Sequence, residues 1–588
     1  MQLFGTKKFT LDREQTGIFA ADVKNVDPKY KDQALELADA ALKYEPAPLT
    51  ASLYMSYART GERAPYENPY HERRRRLANL IVGSLYAGTE KYIDKIVDIA
   101  WAICEETTWV IPPHNVTRGY VYGGRSLADT TDEFFEVDLF AAATAAVLSA
   151  TCLFFKKEID EATDGVLSER IGYEIERRII KPFQTREMRW ESNFINNWVP
   201  WIISNILLCV GVFVGDVRKK MSLVSRSMFY LDRFVGTYGD DCGCNEGASY
   251  WNAAIASLFD ACETLADLSG GELDFTHSEF MRRACRFIVD MNIDPETMLF
   301  VNFADCGPRL SNISGKMLCR MGAATGDGTL LAFGKKVLEN FDTLDKGNGL
   351  HFFIYRNIKN LFRAEYEGGG DLTPANAAYN DLNIAVVRAG DYVAVLKGGH
   401  NAESHNHNDV GSFVFYADKK PVLIDPGSLE YRRDTFNANR YKIWTNQSSY
   451  HNLPDVGGVM EKEGREYAAD GFALEGSTAR VSYGKAYPVK AVCLRTITLD
   501  ESGLTVSDTA EAEGEVTYHF ITHIKPEING NVATLGNIAV KFSSNGGVSV
   551  DTVDISSSPM QTRIWNGTEL YRINVKAKTL ITKISKIN

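Results

Sequence analysis

The ten residues EYEGGGDLTP, Glu365 to Pro374, decide how this 588-residue chain is read, because the sequence changes character across them. Upstream, segment after segment repeats apolar residues at helical spacing, as in KDQALELADAALKY, TEKYIDKIVDIAWAICEE, DEFFEVDLFAAATAAVLSATCLFF and SYWNAAIASLFDACETLADLSG. Downstream, LNIAVVRAGDYVAVLKGG is two short runs hinged at Ala389-Gly390-Asp391, a hairpin signal. GSFVFYA, KPVLIDPGS, EVTYHFITHI and RIWNGTELYRINVKA keep that β-rich, turn-punctuated character to the end. The expectation is a multidomain α plus β protein, with the boundary at Gly368–Gly370. Residues 1–370 form an all-α array of helical hairpins (a bundle, solenoid or toroid) and residues 371–588 an antiparallel β-sandwich. No short sequence repeat is visible, which disfavours a consensus solenoid.

The length suits two or more cores. A formal net charge of -12 argues against a nucleic-acid partner, although a local arginine cluster can still serve an anionic substrate. Ten cysteines are scattered without a disulfide framework, several inside apolar runs, as buried reduced thiols are. WVPWIISNILLCVGVFVG (Trp198–Gly215) is apolar enough to suggest a membrane span, but Pro200, Ser204 and Asn205 favour a buried core helix. The opening MQLFGTKKFTLDREQTG lacks an apolar signal core. The expected setting is therefore cytoplasmic, or periplasmic or secreted if a leader has been trimmed, with no membrane partner and with a homo-oligomer allowed.

Three stretches hold candidate chemistry. GGHNAESHNHNDVGSF (Gly398–Phe413) carries three of the chain's ten histidines, and His451 follows in SSYHN. His405 and His407 are two apart, so on a strand both would leave one face. Two imidazoles with Asp425 of VLIDPGS and an open fourth position would suit zinc or a similar divalent ion, while a polar turn at a strand start is the plainer reading. In ESNFINNWVPWIISN, Asn197 stands either as a helix N-cap or as an amide aimed at a substrate carboxylate. In YGDDCGCNEGASYWN, Tyr250 and Trp251 near a helix start either pack or form a sugar platform, with the Tyr250 hydroxyl available for proton transfer.

Taken together, NNW, DCGCNEGASYW, HNAESHNHNDVGSF, LIDPGS and SSYHN occur in the order found in the heparinase II/III-like polysaccharide lyases, and the chain resembles that family over most of its length. The resemblance implies an (α/α) toroid followed by an antiparallel β-sandwich that carries a metal site at His407, Asp425 and His451. The ion would be zinc, with manganese or calcium as alternatives, in a mainly structural role. It also implies β-elimination on a uronic-acid-containing polysaccharide or oligosaccharide, most simply a glycosaminoglycan. Asn197 would neutralise the uronate carboxylate, and Tyr250 and His405 would act as base and acid. Several relatives have a histidine directly after the neutralising asparagine; here Trp198 stands there and is free to stack on a sugar. Further substrate contacts are assigned to His400, Arg440, Tyr441, Glu246 and His114, with Tyr120 and Arg125 in the same loop as His114. An alginate or other uronan exolyase, a hydrolase using Asp240, Asp241 and Glu246, and a non-catalytic glycan binder are the competing readings.

Overall fold

The computed structural model describes residues 2–20, 25–115, 127–128, 135–192, 195–344, 349–373, 375–544 and 546–587. The chain divides into two compact units. The first comprises Met1–Thr237, Asn252–Arg282 and Asn312–Gly370; the second comprises Tyr238–Trp251, Arg283–Ser311 and Asp371–Asn588. The main boundary thus falls at the glycine run. Two excursions from the helical half, one bearing Tyr250 and the other Asp305, belong to the sheet unit.

In the helical unit, α1 (Leu139–Thr163) packs against α2 (Trp198–Phe213). Asp138 starts α1 by accepting from the backbone N–H groups of Phe140 (3.1 Å) and Ala141 (2.7 Å), which satisfies donors that a helix start leaves unpaired. Alanines at 141–143, 145, 146 and 150 let neighbouring helices approach closely, and all are buried. α1 is long and apolar enough to cross a membrane, yet 78% of its apolar window is buried inside the protein, the setting of a core helix. With 16 residues, α2 spans about 24 Å, short of a bilayer core, and most of it is buried, as expected for Trp198–Gly215.

The sheet unit opens with a five-stranded antiparallel meander. Its strands are β1 (Ala377–Tyr379), β2 (Ile384–Ala389), β3 (Tyr392–Lys397), β4 (Phe413–Ala417) and β5 (Lys420–Leu423), paired in chain order. The β2–β3 hairpin turns at Gly390, whose φ of +52° suits a glycine, so the predicted hinge is the observed one. An eight-stranded and a four-stranded antiparallel sheet, with two two-stranded pairs (Asn292–Asp294 with Leu299–Phe300, and His400–Asn401 with Gly464–Ala468), complete the unit among the described residues. Val395's neighbours Ala394 and Leu396, with Phe413, Phe415, Val506, Tyr518 and Phe520, contribute to one core drawn from the three larger sheets. The strand Ala491–Asp500 shows the alternation that one buried face demands: Cys493, Arg495, Ile497 and Leu499 are inside.

Arg495 is the exception in that apolar row, and it ties the site's scaffold together. Its guanidinium is fully buried against Asp508 at 2.7 Å and donates to the carbonyl oxygens of Gly411 (2.7 Å) and Asn452 (2.6 Å). Gly411 follows the histidine-rich stretch and Asn452 follows His451, so one buried cation anchors both. Gly411 itself has φ +89°, and a Cβ there would sit 2.6 Å from the Tyr483 ring, so no other residue fits.

Candidate active site and metal centre

Between β3 and β4 the chain leaves the sheet. Apart from a two-residue bridge at His400–Asn401, residues 398–412 are turns and irregular backbone. His405 and His407 therefore do not share the face of a strand, which corrects the expectation above. The stretch is too rich in Asn and Gly to hold a ladder, and His405 adopts a left-handed φ of +57°. What brings the two rings together is a carboxylate from far away in sequence, Asp305. Its Oδ2 lies 2.9 Å from His405 Nδ1 and its Oδ1 3.0 Å from His407 Nε2.

Asp305 is the hub of a buried cluster. Arg440 donates to its Oδ2 at 3.0 Å, and the Tyr431 hydroxyl donates to the same oxygen at 3.1 Å. Burial alone would push the Asp305 carboxyl up. Hydrogen bonds from His405 and His407, with the nearby Arg440 charge, outweigh it and hold the carboxyl far below the usual carboxylate range. Tyr250 lies at the start of α3 (Gly247–Leu268), its ring stacked on His405 with centroids 4.1 Å apart and its hydroxyl bonded to that of Tyr431. Burial, then the neighbouring Tyr431 and Asp305, drive the Tyr250 phenol well above its ordinary value. It rests protonated, so these surroundings do not make it a ready base. His405 Nε2 stands 3.6 Å from the buried Glu246 carboxylate.

The metal expectation has a definite geometry. Ligand atoms of His407, Asp425 and His451 lie within 4.8 Å of one another, and all three residues are buried. β5 delivers Asp425 into a tight turn in which its Oδ1 accepts from the Gly427 N–H at 2.8 Å; Gly427 has φ +70°, and a Cβ there would approach the Cys306 carbonyl to 3.1 Å. Oδ2 is left facing His451 Nδ1 at 2.9 Å. His407 Nδ1 is buried without a hydrogen-bond partner among the described residues, which is unusual for an imidazole nitrogen unless another group completes it. Two imidazoles and one carboxylate around an orphaned nitrogen fit a divalent ion such as zinc.

The remaining expected residues divide between the units. In the helical unit, the Asn197 side chain does not cap α2; the Trp198 N–H is taken instead by Asn196 Oδ1 at 3.1 Å. Asn197 thus holds the N-cap position of α2 without a side-chain capping bond, and it is buried. Trp198 packs on His114 with ring centroids 4.6 Å apart, and His114 Nδ1 meets Asp138 Oδ2 at 2.7 Å. His71 and His351, which the sequence did not single out, adjoin this group through Phe140 and Phe352. Burial pushes His71 down to about 3, so it stays neutral at physiological pH.

In the sheet unit, His400 is half-buried and its Nδ1 accepts from the Ala402 N–H at 3.2 Å. Tyr441 accepts from Asn406 Nδ2 at 3.4 Å. Arg440 is turned inward: besides Asp305 it donates to the carbonyls of Asn406 and Thr435, so it braces the loop. Both Asp241 oxygens accept from backbone N–H groups, those of Gly243 and Asp381, which is a turn-holding arrangement. Tyr120 and Arg125 lie outside the described residues.

Residues 372–578 match the family described as Heparinase II/III-like, C-terminal. Among solved structures the chain is similar to heparinase III, with a TM-score of 0.65 and 15% identity, covering 98% of this chain and 88% of that one. It is similar also to the heparan sulfate lyase HepC of Pedobacter heparinus (TM-score 0.58, 12% identity, 98% and 86% covered). A third likeness is to the Streptomyces coelicolor A3 chondroitin AC lyase (TM-score 0.52, 11% identity, 95% and 80% covered). No curated protein sequence matches the chain. The fold is the expected one, a helical toroid followed by an antiparallel β-sandwich.

Proposed function

We propose that the protein is a polysaccharide lyase that cleaves a uronic-acid-containing glycan, of the glycosaminoglycan type, by β-elimination. The observation that carries this reading is the Tyr250–His405 stack over Asp305, a proton-transfer pair at the family's motif positions. Structural likeness to enzymes that act on heparan sulfate and chondroitin supports the substrate class.

The chemistry assigns a task to each group. The proton on C5, next to the uronate carboxylate, is poorly acidic until that carboxylate is neutralised, and the Asn197 amide is assigned to bind it. His405, with Nδ1 engaged by Asp305, presents Nε2 as the base that removes the C5 proton. The electron pair then moves into a C4–C5 double bond as the C4–O4 bond breaks. Tyr250, resting as a phenol, gives its proton to the departing O4. His405 loses its proton and Tyr250 regains one from solvent, which restores the enzyme. His407, Asp425 and His451 would hold a zinc ion, or manganese or calcium. When bound, the ion supplies a fixed positive charge and a cross-link between the histidine loop and β5. Trp198 and His114 are assigned to sugar contact in the helical unit.

The paired-carboxylate hydrolase has no specific observation in its favour. The test is product analysis: β-elimination leaves a conjugated unsaturated uronate that absorbs in the near ultraviolet, and hydrolysis does not. Asn197→Ala is expected to retain the fold and lose most turnover; wild-type turnover in that variant would remove Asn197 from the mechanism.

A further inference from the structure

Asp305 meets both chemistries, and each of its oxygens serves a different histidine. Held between two imidazoles and the Arg440 guanidinium, an ionised carboxylate can only accept hydrogen bonds. His407 must then present Nε2 as an N–H toward Oδ1, which leaves its lone pair on Nδ1. That is the buried nitrogen with no partner among the described residues, on the ring grouped with Asp425 and His451. The same constraint gives His405 an Nδ1–H toward Oδ2 and places its lone pair on Nε2. A single carboxylate thus sets the tautomer of the metal-facing ring and of the proton-moving ring. Asp305 is itself held: its backbone carbonyl accepts from the Ser428 hydroxyl at 3.4 Å, and Ala304 before it has a left-handed φ of +56°.

We propose that Asp305 is a positioning residue that couples metal binding at His407 to the orientation of His405. Its kinetic consequence rests on the lyase reading; its metal consequence does not. A metal ligand's second ring nitrogen normally meets a carboxylate or carbonyl of this kind, and losing that partner costs ~10–100-fold in affinity or activity. Here the partner is shared with a residue that holds no metal, so the two properties are linked.

The experiment uses the full chain and Asp305→Asn, with zinc as the probe. Competition with a chromophoric chelator is expected to show ~10–100-fold weaker zinc binding in the variant. At saturating zinc, kcat is expected to fall by ~10-fold or more with KM little changed, since His405 has lost its own partner. Asp305→Asn also strips Arg440 of its counter-charge, so a second measurement uses the wild type alone. In long-range proton–nitrogen spectra of histidine-labelled protein, zinc is expected to shift His407 and His451 and also to move the His405 ring signals. Wild-type zinc affinity in Asp305→Asn, an unmoved His405, or no zinc binding by the wild type would each overturn the proposal. If no uronan yields unsaturated product, the lyase reading falls, while the zinc and spectral results still decide the role of Asp305.

Discussion

Tyr250 and His405 form a stacked pair whose protons are governed by groups the pair does not contain. Burial, then Tyr431 and Asp305, set the phenol's high affinity for its proton, and Tyr250→Phe removes the acid while sparing the stack on His405. The expected result is a loss of ~100–10,000-fold in kcat with KM nearly unchanged, read in steady-state assays on a uronan substrate. Retention of more than a tenth of wild-type turnover would exclude Tyr250 as the acid. The five residues Tyr250, His405, His407, Asp425 and His451 were legible in the sequence because each sits in a short motif of unusual composition. Asp305 and Tyr431 were not. Asp305 lies 100 residues before His405, in FADCG, and nothing local in that stretch distinguishes a hub carboxylate from a turn residue. The posture of His405 is hidden from the sequence for a related reason: period-2 spacing implies one face only where a ladder exists, and His405 and His407 lie outside one.

The element that matters most is the loop from Gly398 to Ser412, and its attachments are buried polar groups. Glu461 accepts from Asn401 Nδ2 at 3.0 Å and from the Val410 N–H at 3.1 Å, gripping the loop near both ends. Burial, with Asp409 adding to it, pushes the Glu461 carboxyl up to about 8 from an ordinary 4.5. The folded state therefore keeps this proton where the unfolded chain has lost it. Glu461's stabilising contribution is whole below pH ~4.5 and is lost as pH rises to about 8. Glu461→Gln is expected to match the wild type near pH 4.5 and to melt higher at pH 8; equal melting temperatures at both values would contradict this. Arg495→Ala tests the second attachment. It leaves Asp508 as an unpaired buried charge and unties Gly411 and Asn452, at an expected cost of ~3–5 kcal/mol in chemical denaturation. None of these ties was visible in the sequence, where Arg495 reads as one more polar residue in an alternating strand.

At the scale of the whole molecule, the change from helical to strand periodicity at Gly368–Gly370 was enough to fix the architecture. The same signal could not show that Tyr238–Trp251 and Arg283–Ser311 belong to the sheet unit, because membership there depends on long-range packing. A metal at His407, Asp425 and His451 would join β5 to two loops. Zinc is therefore expected to raise the melting temperature, and His451→Ala to abolish that rise without a bound ion to lose. The central claim is the elimination reaction itself. It is tested most directly by incubating the protein with heparan sulfate, chondroitin sulfate, hyaluronan and alginate and following near-ultraviolet absorbance, with Tyr250→Phe in parallel. Absorbance is expected to rise on at least one glycosaminoglycan with the wild type and to stay flat with the variant. Chain cleavage without that absorbance, or an equal rise in both proteins, would contradict the claim.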